Sequence, residues 1–387
     1  MKQDVIVVGG GIIGAAITYF LAKQGISVTL IEGTDIAAGT SSSCDQAVLL
    51  QTKKPGPLLE LAIQSNEIYK SLEEELEESI EYRQGGGMIL MENEQHKIML
   101  EELVKKQNKV GLKVRTVSRE EIIEKQPGLA PHIIGSTWSD EDAKVNSLKT
   151  SLSFVRAAKR FKASVLLGKP VQSLILDNNR VIGVSLKDEN LYAESIIVAA
   201  GVWTPKLLDS LNVHVPIVPR RGQILVTEKL PPMFNANILS GAYIAAKSGA
   251  TGESNNPYGV GLVMGQTVSG NVLIGGSREF VGFDVSTSPE VIRMIGNAAV
   301  HVFPHLKDVK IIRTFAGLRP YTPDSLPIMS NVPKYPGLYI CAGHEGDGIA
   351  LAPISGKIMA DLLCGLPSSL ELSSFSLERF KGAVAHA

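Results

Sequence analysis

Residues 5–33 read VIVVGGGIIGAAITYFLAKQGISVTLIEG and combine two apolar runs with a glycine cluster. The first run, which ends at Val8, is rich in valine, as is typical of a buried parallel strand. Apolar residues then follow at helical spacing from Gly14 to Lys23, Gly25 stands where a helix C-terminal glycine is expected, and SVTLIE is the next strand. This stretch therefore predicts a β-α-β unit with a right-handed crossover.

The spacing Gly9-x-Gly11-x-x-Gly14 lies between the first strand and the helix. Gly9 permits a tight turn, Gly11 lets the backbone approach a pyrophosphate, and Gly14 allows the helix to pack closely on the strand. The helix N-terminus adds free N–H groups and a positive dipole end. Glu32, at the end of the second strand, can accept hydrogen bonds from a ribose 2′-OH and disfavours a 2′-phosphate. These residues predict dinucleotide binding and leave NAD and FAD both open.

Length and composition limit the class of protein. A chain of 387 residues is too long for one ordinary core, so we expect two domains. The net charge of −1, from 38 Lys+Arg against 39 Asp+Glu, indicates neither nucleic acid nor an anionic membrane as a partner. Three widely spaced cysteines predict no disulfide framework and no metal site. Without a signal peptide or an apolar span, the sequence predicts a cytoplasmic protein with no membrane span.

A second glycine-spaced helix start favours flavin over nicotinamide. No other G-x-G-x-x-G lies on a β-α-β unit, which disfavours a reductase with two nucleotide sites. Residues 338–363, LYICAGHEGDGIALAPISGKIMADLL, instead begin a helix near Gly346 and Gly348. That helix N-terminus can face an isoalloxazine ring and stabilise negative charge at N1 of reduced flavin. A plain connection between strand and helix is the alternative.

Together with the opening motif, three further stretches carry a family resemblance: SIIVAAGVW (195–203), AGLRPYTPD (316–324) and AGHEGDGIALAP (342–353). Over essentially its whole length the chain resembles the D-amino-acid-oxidase-like flavoproteins, which include glycine oxidase, sarcosine oxidase and heteromeric amino-acid dehydrogenases. GTSSSCDQAVLL (39–50) and NVLIGGSREFVGFD (271–284) look most like the catalytic β subunits of heteromeric dehydrogenases. Those subunits act on D-hydroxyproline, L-proline or opines.

The resemblance implies an α/β fold. A Rossmann-like FAD-binding domain of the glutathione-reductase type is interleaved with an antiparallel-sheet α+β substrate domain, which caps the flavin. We place the discontinuous FAD-binding domain at residues 1–80, 145–215 and 310–387, and the substrate-binding domain at 81–144 and 216–309.

The opening motif and the resemblance together imply a set of FAD contacts. Serine hydroxyls after the second strand would meet the pyrophosphate, and the backbone near Val171 would meet the adenine edge. No cysteine precedes the RPYTPD segment, where monomeric sarcosine oxidases attach flavin, so we predict non-covalent FAD. The predicted contacts are Gly9, Gly11, Ile12, Ile13, Gly14, Glu32, Gly33, Thr40, Ser41, Ser42, Gln46, Ala47, Val171, Ala200, Gly201, Trp203, Gly317, Arg319, Gly346, Asp347, Gly348 and Ile349.

Four residues are candidates for the substrate side. Arg319 matches the arginine that binds the substrate carboxylate in glycine-oxidase-like relatives, and its planar fork suits bidentate hydrogen bonds; an interdomain salt bridge is the alternative. Tyr243 matches a tyrosine that positions the carboxylate, or is an ordinary core residue. Arg278 reaches either the substrate or a second cofactor, or forms a surface salt bridge. His344 is a candidate for deprotonating the substrate ammonium.

The loop before the last helix departs from the glycine oxidase pattern. A second arginine of that enzyme aligns with Gly346, while His344, Glu345 and Asp347 crowd the loop. This departure predicts a different environment around the substrate amine.

The reaction that the resemblance implies is oxidation of an amino or imino acid at Cα, by hydride transfer to flavin N5. Electrons would then pass to partner subunits of the FAD/NAD or 2Fe-2S type, with FMN at a subunit interface. Lys53 and Lys54 are candidate FMN phosphate contacts, or ordinary solvated charges. The alternatives are a stand-alone oxidase that produces peroxide, a flavin-containing subunit without turnover, and an NAD-binding module.

Overall fold

The computed structural model describes residues 3–247, 256–368 and 370–381. The strands, in chain order, are β1 (Gln3–Val8), β2 (Val28–Ile31), β3 (Ala47–Val48), β4 (Gly87–Met91), β5 (Arg115–Ser118), β6 (Gly135–Ser139), β7 (Ala143–Lys144), β8 (Ser164–Leu166), β9 (Ser173–Asp177), β10 (Arg180–Ser185), β11 (Asn190–Val198), β12 (Val218–Lys229), β13 (Asn237–Ser240), β14 (Val263–Gln266), β15 (Asn271–Gly275), β16 (Ile311–Tyr321), β17 (Ile328–Asn331) and β18 (Leu338–Ala342). The helices are α1 (Ile12–Lys23), α2 (Pro57–Leu76), α3 (Glu94–Lys109), α4 (Arg119–Lys125), α5 (Ser147–Arg160), α6 (Thr204–Leu208), α7 (Gly241–Lys247), α8 (Pro289–Val302) and α9 (Gly348–Leu363).

The first sheet is built on the predicted β-α-β unit. Its order is β17-β18-β11-β1-β2-β8, and β9 and β10 extend it at β11. Strand β1 pairs in parallel with both β2 and β11, and β11 pairs in parallel with β18. The carboxyl ends of β1, β2 and β18 therefore meet at one edge, where ligands bind in open α/β sheets. The predicted α/β fold class is confirmed.

Helices α1, α2, α5 and α9 cover one face of this sheet with a continuous apolar core. Helices α1 and α9 approach closely because Gly356 has no side chain: the Cβ of an alanine there would lie 2.9 Å from the Cβ of Ala16. This packing brings the N-termini of two helices to the same sheet edge.

The second sheet has the order β16-β12-β15-β14-β13-β4-β6-β5 and is antiparallel except at the β4–β13 pair. Helix α8 packs on it through buried Val291, Ile295 and Ala299. Strand β16 lies in this sheet, paired with β12 along its length. The domain boundary that we drew at residue 310 therefore does not follow the sheets, because 311–321 joins the second sheet and the first resumes at β17.

No helix in the described ranges is both long and apolar enough to cross a membrane.

Candidate functional site

A cavity of about 800 Å³ opens at the carboxyl edge of the first sheet and extends to the second sheet. Its volume lies within the range of roughly 300–1,000 Å³ that is usual for ligand pockets. Seventeen of the predicted site residues line it: Gly9, Gly11, Ile12, Ile13, Glu32, Gly33, Thr40, Ser41, Val171, Ala200, Gly201, Trp203, Arg319, His344, Gly346, Gly348 and Ile349.

The glycines at the end of β1 are required by close backbone contacts. Gly9 has φ +110°, and the Cβ of an alanine there would lie 2.5 Å from the carbonyl oxygen of Ala199. At Gly14 the added Cβ would lie 1.9 Å from the carbonyl oxygen of Gly9. Gly14 does not line the cavity; it lets α1 lie against the turn that does.

The N-terminus of α1 points its N–H groups at the cavity. Its N-cap is Gly11, which offers no side chain, and the hydroxyl of Ser41 accepts a hydrogen bond from the backbone N–H of Ile12 at 2.9 Å. Free N–H groups and the positive dipole end make this a site for an anion such as a pyrophosphate.

The carboxylate of Glu32 is fixed at the end of β2. It accepts hydrogen bonds from the backbone N–H of Gly10 at 2.6 Å and from the backbone N–H of Thr34 at 2.8 Å. These bonds hold it on the cavity wall, in the position that the sequence predicts for ribose recognition.

A second helix N-terminus, that of α9, faces the far part of the cavity. Its N-cap, Asp347, does not cap the helix with its side chain and instead forms a salt bridge of 2.9 Å with Lys53. The Lys53 side chain is fully buried, so it cannot contact a phosphate at a subunit interface. Lys53 as an FMN phosphate contact is therefore wrong. Lys54 is exposed and stays a candidate for this contact.

The polar residues of the loop before α9 are bonded to other parts of the protein. The Nε2 atom of His344 lies 3.0 Å from the hydroxyl of Ser355, and Glu345 forms a salt bridge with Arg220. Burial lowers the pKa of His344 to about 3. An imidazole with this pKa is a poor proton acceptor near neutral pH.

Arg319 lies where the cavity reaches the second sheet. On the paired strands β12 and β16 it is directly opposite Arg220, and its Nη1 donates to the carbonyl of Ser277 at 2.8 Å. The guanidinium fits because two neighbours are glycines: a Cβ at Gly222 would lie 2.2 Å from Nη1, and one at Gly346 would lie 3.4 Å from Cδ. Gly346 therefore gives Arg319 the space that a larger side chain would take.

Arg278 and Tyr243 form a stacked pair beside this arginine. The Arg278 guanidinium carbon lies 4.3 Å from the Tyr243 ring centroid. Burial lowers the pKa of Arg278, and the positive charges of Arg319 and Arg220 lower it further. Tyr243 and the carboxylate of Glu345 raise it and so oppose this shift. Among the described residues, neither Arg278 nor Arg319 has a salt-bridge partner, so the structure does not show the surface salt bridge that was the alternative for Arg278.

Eight predicted residues do not line the cavity: Gly14, Ser42, Gln46, Ala47, Tyr243, Arg278, Gly317 and Asp347. Ser42 is exposed and donates to the carbonyl of Gly39, and Ala47 pairs with Lys144 in the β3–β7 ladder. Gly317 allows a close approach by Ser43, to which its added Cβ would lie 2.7 Å away.

Sequence analysis also missed lining residues, among them Thr34, Ser43, Cys44, Asp45, Pro170, Gln172, Ala199, Lys206 and Cys341. Asp45 directly precedes Gln46, a predicted FAD contact, and this neighbouring position is the only feature of the sequence that could have identified it as a lining residue. Burial raises the pKa of its carboxyl, while the charge of Arg319 opposes the shift. The two lining thiols behave similarly, since burial raises the pKa of Cys44 to about 11 and raises that of Cys341 further.

The cavity fits a dinucleotide with an extended shape. Two helix N-termini, an apolar wall and a fixed carboxylate lie along one space, and close-packed glycines keep side chains out of its first turn. FAD requires these features: donors for its phosphates, an acceptor for its ribose and a positive dipole near its flavin.

Comparisons with known proteins cover almost the whole chain. The family model described as DAO, FAD dependent oxidoreductase, matches residues 4–362. Glycine oxidase from Geobacillus kaustophilus is 26% identical over 392 residues, covering 99% of this chain and 98% of that protein. A subunit of opine oxidase from Agrobacterium tumefaciens is 26% identical over 399 residues, covering 99% of each chain. The crystal structure of L-proline dehydrogenase from P. horikoshii superposes with a TM-score of 0.89 at 25% identity, covering 99% of this chain and 98% of that one.

Proposed function

The chain belongs to the DAO family of FAD dependent oxidoreductases, and we propose that it oxidises an amino or imino acid at Cα. The observation that carries this proposal is Arg319, a cavity-lining guanidinium with no salt-bridge partner in the described chain. It stands near the N-terminus of α9, since a Cβ at Gly346 would lie 3.4 Å from its Cδ. A substrate carboxylate held there would present its Cα to the flavin end of the cavity.

FAD, when bound, supplies a hydride acceptor for the Cα–H bond. The turn from Gly9 to Gly14 and the N-terminus of α1 would hold its pyrophosphate, and Glu32 would hold its ribose. The N-terminus of α9 would stabilise negative charge on the reduced ring. Burial raises the pKa of Cys44 and of Cys341, which disfavours a reactive thiolate beside the cavity and supports non-covalent attachment. Acid denaturation should release all of the flavin.

Arg319 would bind and orient the substrate. Its fork offers two parallel charge-assisted hydrogen bonds to a carboxylate, and the Ser277 carbonyl fixes the guanidinium in place. Fixing the carboxylate sets the direction of the Cα–H bond and so lowers the entropic part of the barrier.

The substrate amine must be neutral, because its lone pair assists departure of the hydride. We expect log kcat/KM to rise with pH at unit slope up to the pKa of the substrate amine, because only the neutral amine reacts. His344 should add no second inflection, because we propose that it does not act as the base. Burial lowers the pKa of His344 to about 3, so it carries no proton over that range. Steady-state pH profiles of the wild type and of His344→Asn should share one inflection. Disappearance of the inflection in the variant would make His344 the base.

Neither Arg278 nor Tyr243 lines the cavity, but Arg278 lies close enough to Arg319 for their charges to interact, so the pair favours a substrate with a second carboxylate. Arg278 is a second cation without a salt-bridge partner in the described chain, and its electrostatic neighbours are Arg319, Arg220 and Glu345. If Arg319 holds one carboxylate bidentately, a second carboxylate would compensate the charge of Arg278 in this partly buried site. Among the substrates that the resemblance implies, this favours opine-type acids, in which a secondary amine carries two carboxylates, over proline-like acids. The opine oxidase of Agrobacterium tumefaciens has a subunit among the relatives.

Arg278→Ala is expected to lower kcat/KM for an N-carboxyalkyl amino acid by about 10- to 100-fold, the loss of one hydrogen bond to a charged group. It should change kcat/KM for proline by less than about threefold, because proline has one carboxylate. Steady-state assays with both substrates test this, and Arg293→Ala, an exposed arginine on α8, is the control. Equal losses on the two substrates would rule out a second carboxylate site.

The electron acceptor decides between dehydrogenase and oxidase. We propose transfer to partner subunits of the FAD/NAD or 2Fe-2S type, which is supported by a relative that is itself one subunit of an opine oxidase. Interface FMN stays a prediction, with Lys54 alone as its candidate phosphate contact. Purified protein should turn over with an artificial dye and form little peroxide in air. Stoichiometric peroxide would favour the stand-alone oxidase, and bound flavin without turnover on any acceptor would favour a non-catalytic subunit.

A further inference from the structure

Four side chains with metal-binding atoms meet at the edge of the second sheet, and none of them lines the cavity. Ligand atoms of Glu92, His132 and His301 all lie within 4.8 Å of one another. The Nδ1 atom of His96 lies 3.7 Å from Oε1 of Glu92. The rings of His132 and His301 stack with their centroids 4.1 Å apart. The three mutually close side chains are thus one carboxylate and two imidazoles, and His96 lies beside the carboxylate.

Three of these atoms are buried and have no hydrogen-bond partner in the described chain: Glu92 Oε1, His96 Nδ1 and His132 Nε2. Buried polar atoms are rarely left unpaired, so three in one cluster indicate a shared ligand.

Backbone hydrogen bonds fix the segments that carry the cluster. The N–H of Ile134 donates to the carbonyl of Met91 at 2.9 Å, which joins the loop before β6 to the end of β4. The N–H of Ala130 donates to the carbonyl of Val302 at 2.9 Å, which joins the same loop to the end of α8. Three distant parts of the chain are therefore held together independently of any ligand.

We propose that Glu92, His132 and His301 bind one zinc ion, and that His96, whose Nδ1 lies 3.7 Å from Oε1 of Glu92, positions this carboxylate. Imidazole nitrogens with one carboxylate oxygen suit Zn²⁺, whereas Ca²⁺ and Mg²⁺ prefer oxygen ligands alone. The ion is structural because its three ligands lie outside the cavity, and a water molecule takes its fourth position. It ties the end of α8 to the end of β4 through the loop before β6.

Zinc titration into metal-stripped holoprotein tests the site. We expect calorimetry to give one zinc per chain, and zinc to raise Tm by roughly 2 °C or more because it binds only the folded chain. The double variant His132→Ala/His301→Ala should lose both effects and keep its FAD content. His214→Ala, which removes an exposed histidine outside the cluster, should keep both effects.

Zinc binding that survives in the double variant, or an absence of zinc binding by the wild type, would overturn the proposal. Since the double variant can fail to fold, cobalt(II) bound to the wild type provides a second measurement. Its intense visible d–d absorption is expected for a tetrahedral site formed by the three side chains and one water molecule. The weak absorption of an octahedral ion would contradict the assignment.

Discussion

Gly14→Ala is expected to abolish FAD binding at micromolar cofactor. The added Cβ would lie 1.9 Å from the carbonyl oxygen of Gly9, whereas an ordinary contact needs roughly 3.5 Å. The β1–β11 pairing holds the backbone before Gly9, and the α1–α9 packing holds the helix that carries Gly14. To relieve the contact, α1 must therefore move away from the turn. Its N–H groups then leave the pyrophosphate. Two lost charge-assisted hydrogen bonds correspond to a fall of about 10²- to 10⁴-fold in affinity.

Flavin content after gel filtration and FAD titration by fluorescence measure this loss. The matched control is Gly296→Ala in α8, where an added Cβ meets nothing within 4 Å. It should keep full FAD content and gain a little stability from better helix propensity. Wild-type FAD affinity in Gly14→Ala would show that the cofactor does not use this turn.

Arg319→Ala is expected to lower kcat/KM by about 10²- to 10⁴-fold while FAD content changes little. The substitution removes two hydrogen bonds to a charged carboxylate, each worth about 1.5–3 kcal/mol. Arg319→Lys keeps the charge and loses the fork, so its rate should lie between those of the alanine variant and the wild type. Steady-state kinetics with the best substrate, on protein of known flavin content, measures the loss.

The control for Arg319 lies on the same strand. Arg313 is exposed on β16 and does not line the cavity, so Arg313→Ala should retain wild-type kinetics. Should Arg319→Ala keep its activity and its substrate affinity, Arg319 is not the carboxylate site and the proposed orientation of the substrate is wrong.

The sequence predicts the first sheet and its cofactor turn well because local patterns determine both. Valine-rich β1, the glycine spacing and the glycine after α1 place β1, α1 and β2 close to their observed bounds. Helix α9 begins at Gly348, one of the two glycines near which we predicted its start. The resemblance to D-amino-acid-oxidase-like flavoproteins is confirmed by the family match.

What the sequence does not predict depends on long-range contacts. Strand β16 joins the second sheet through pairing with β12, nearly 100 residues earlier, and no local pattern in 311–321 indicates this. The same pairing places Arg220 opposite Arg319. Burial of Lys53 and its bond to Asp347 are equally non-local.

The zinc site is the clearest case of such non-local assembly. Its ligands come from three distant segments of the substrate-binding part, and no two of its histidines have the short spacing that predicts a metal site in a sequence. Only the folded chain brings Glu92, His132 and His301 within reach of one ion.

Anaerobic mixing of the FAD-loaded protein with candidate substrates tests the central claim most directly. The panel includes N-carboxyalkyl amino acids, D- and L-proline analogues and glycine, and the readout is the visible flavin absorbance. We predict that an amino or imino acid with two carboxylates bleaches this absorbance, and that Arg319→Ala slows the bleaching by about 10²-fold or more. Flavin that stays oxidised with every member of the panel would contradict oxidation at Cα as the function of this protein.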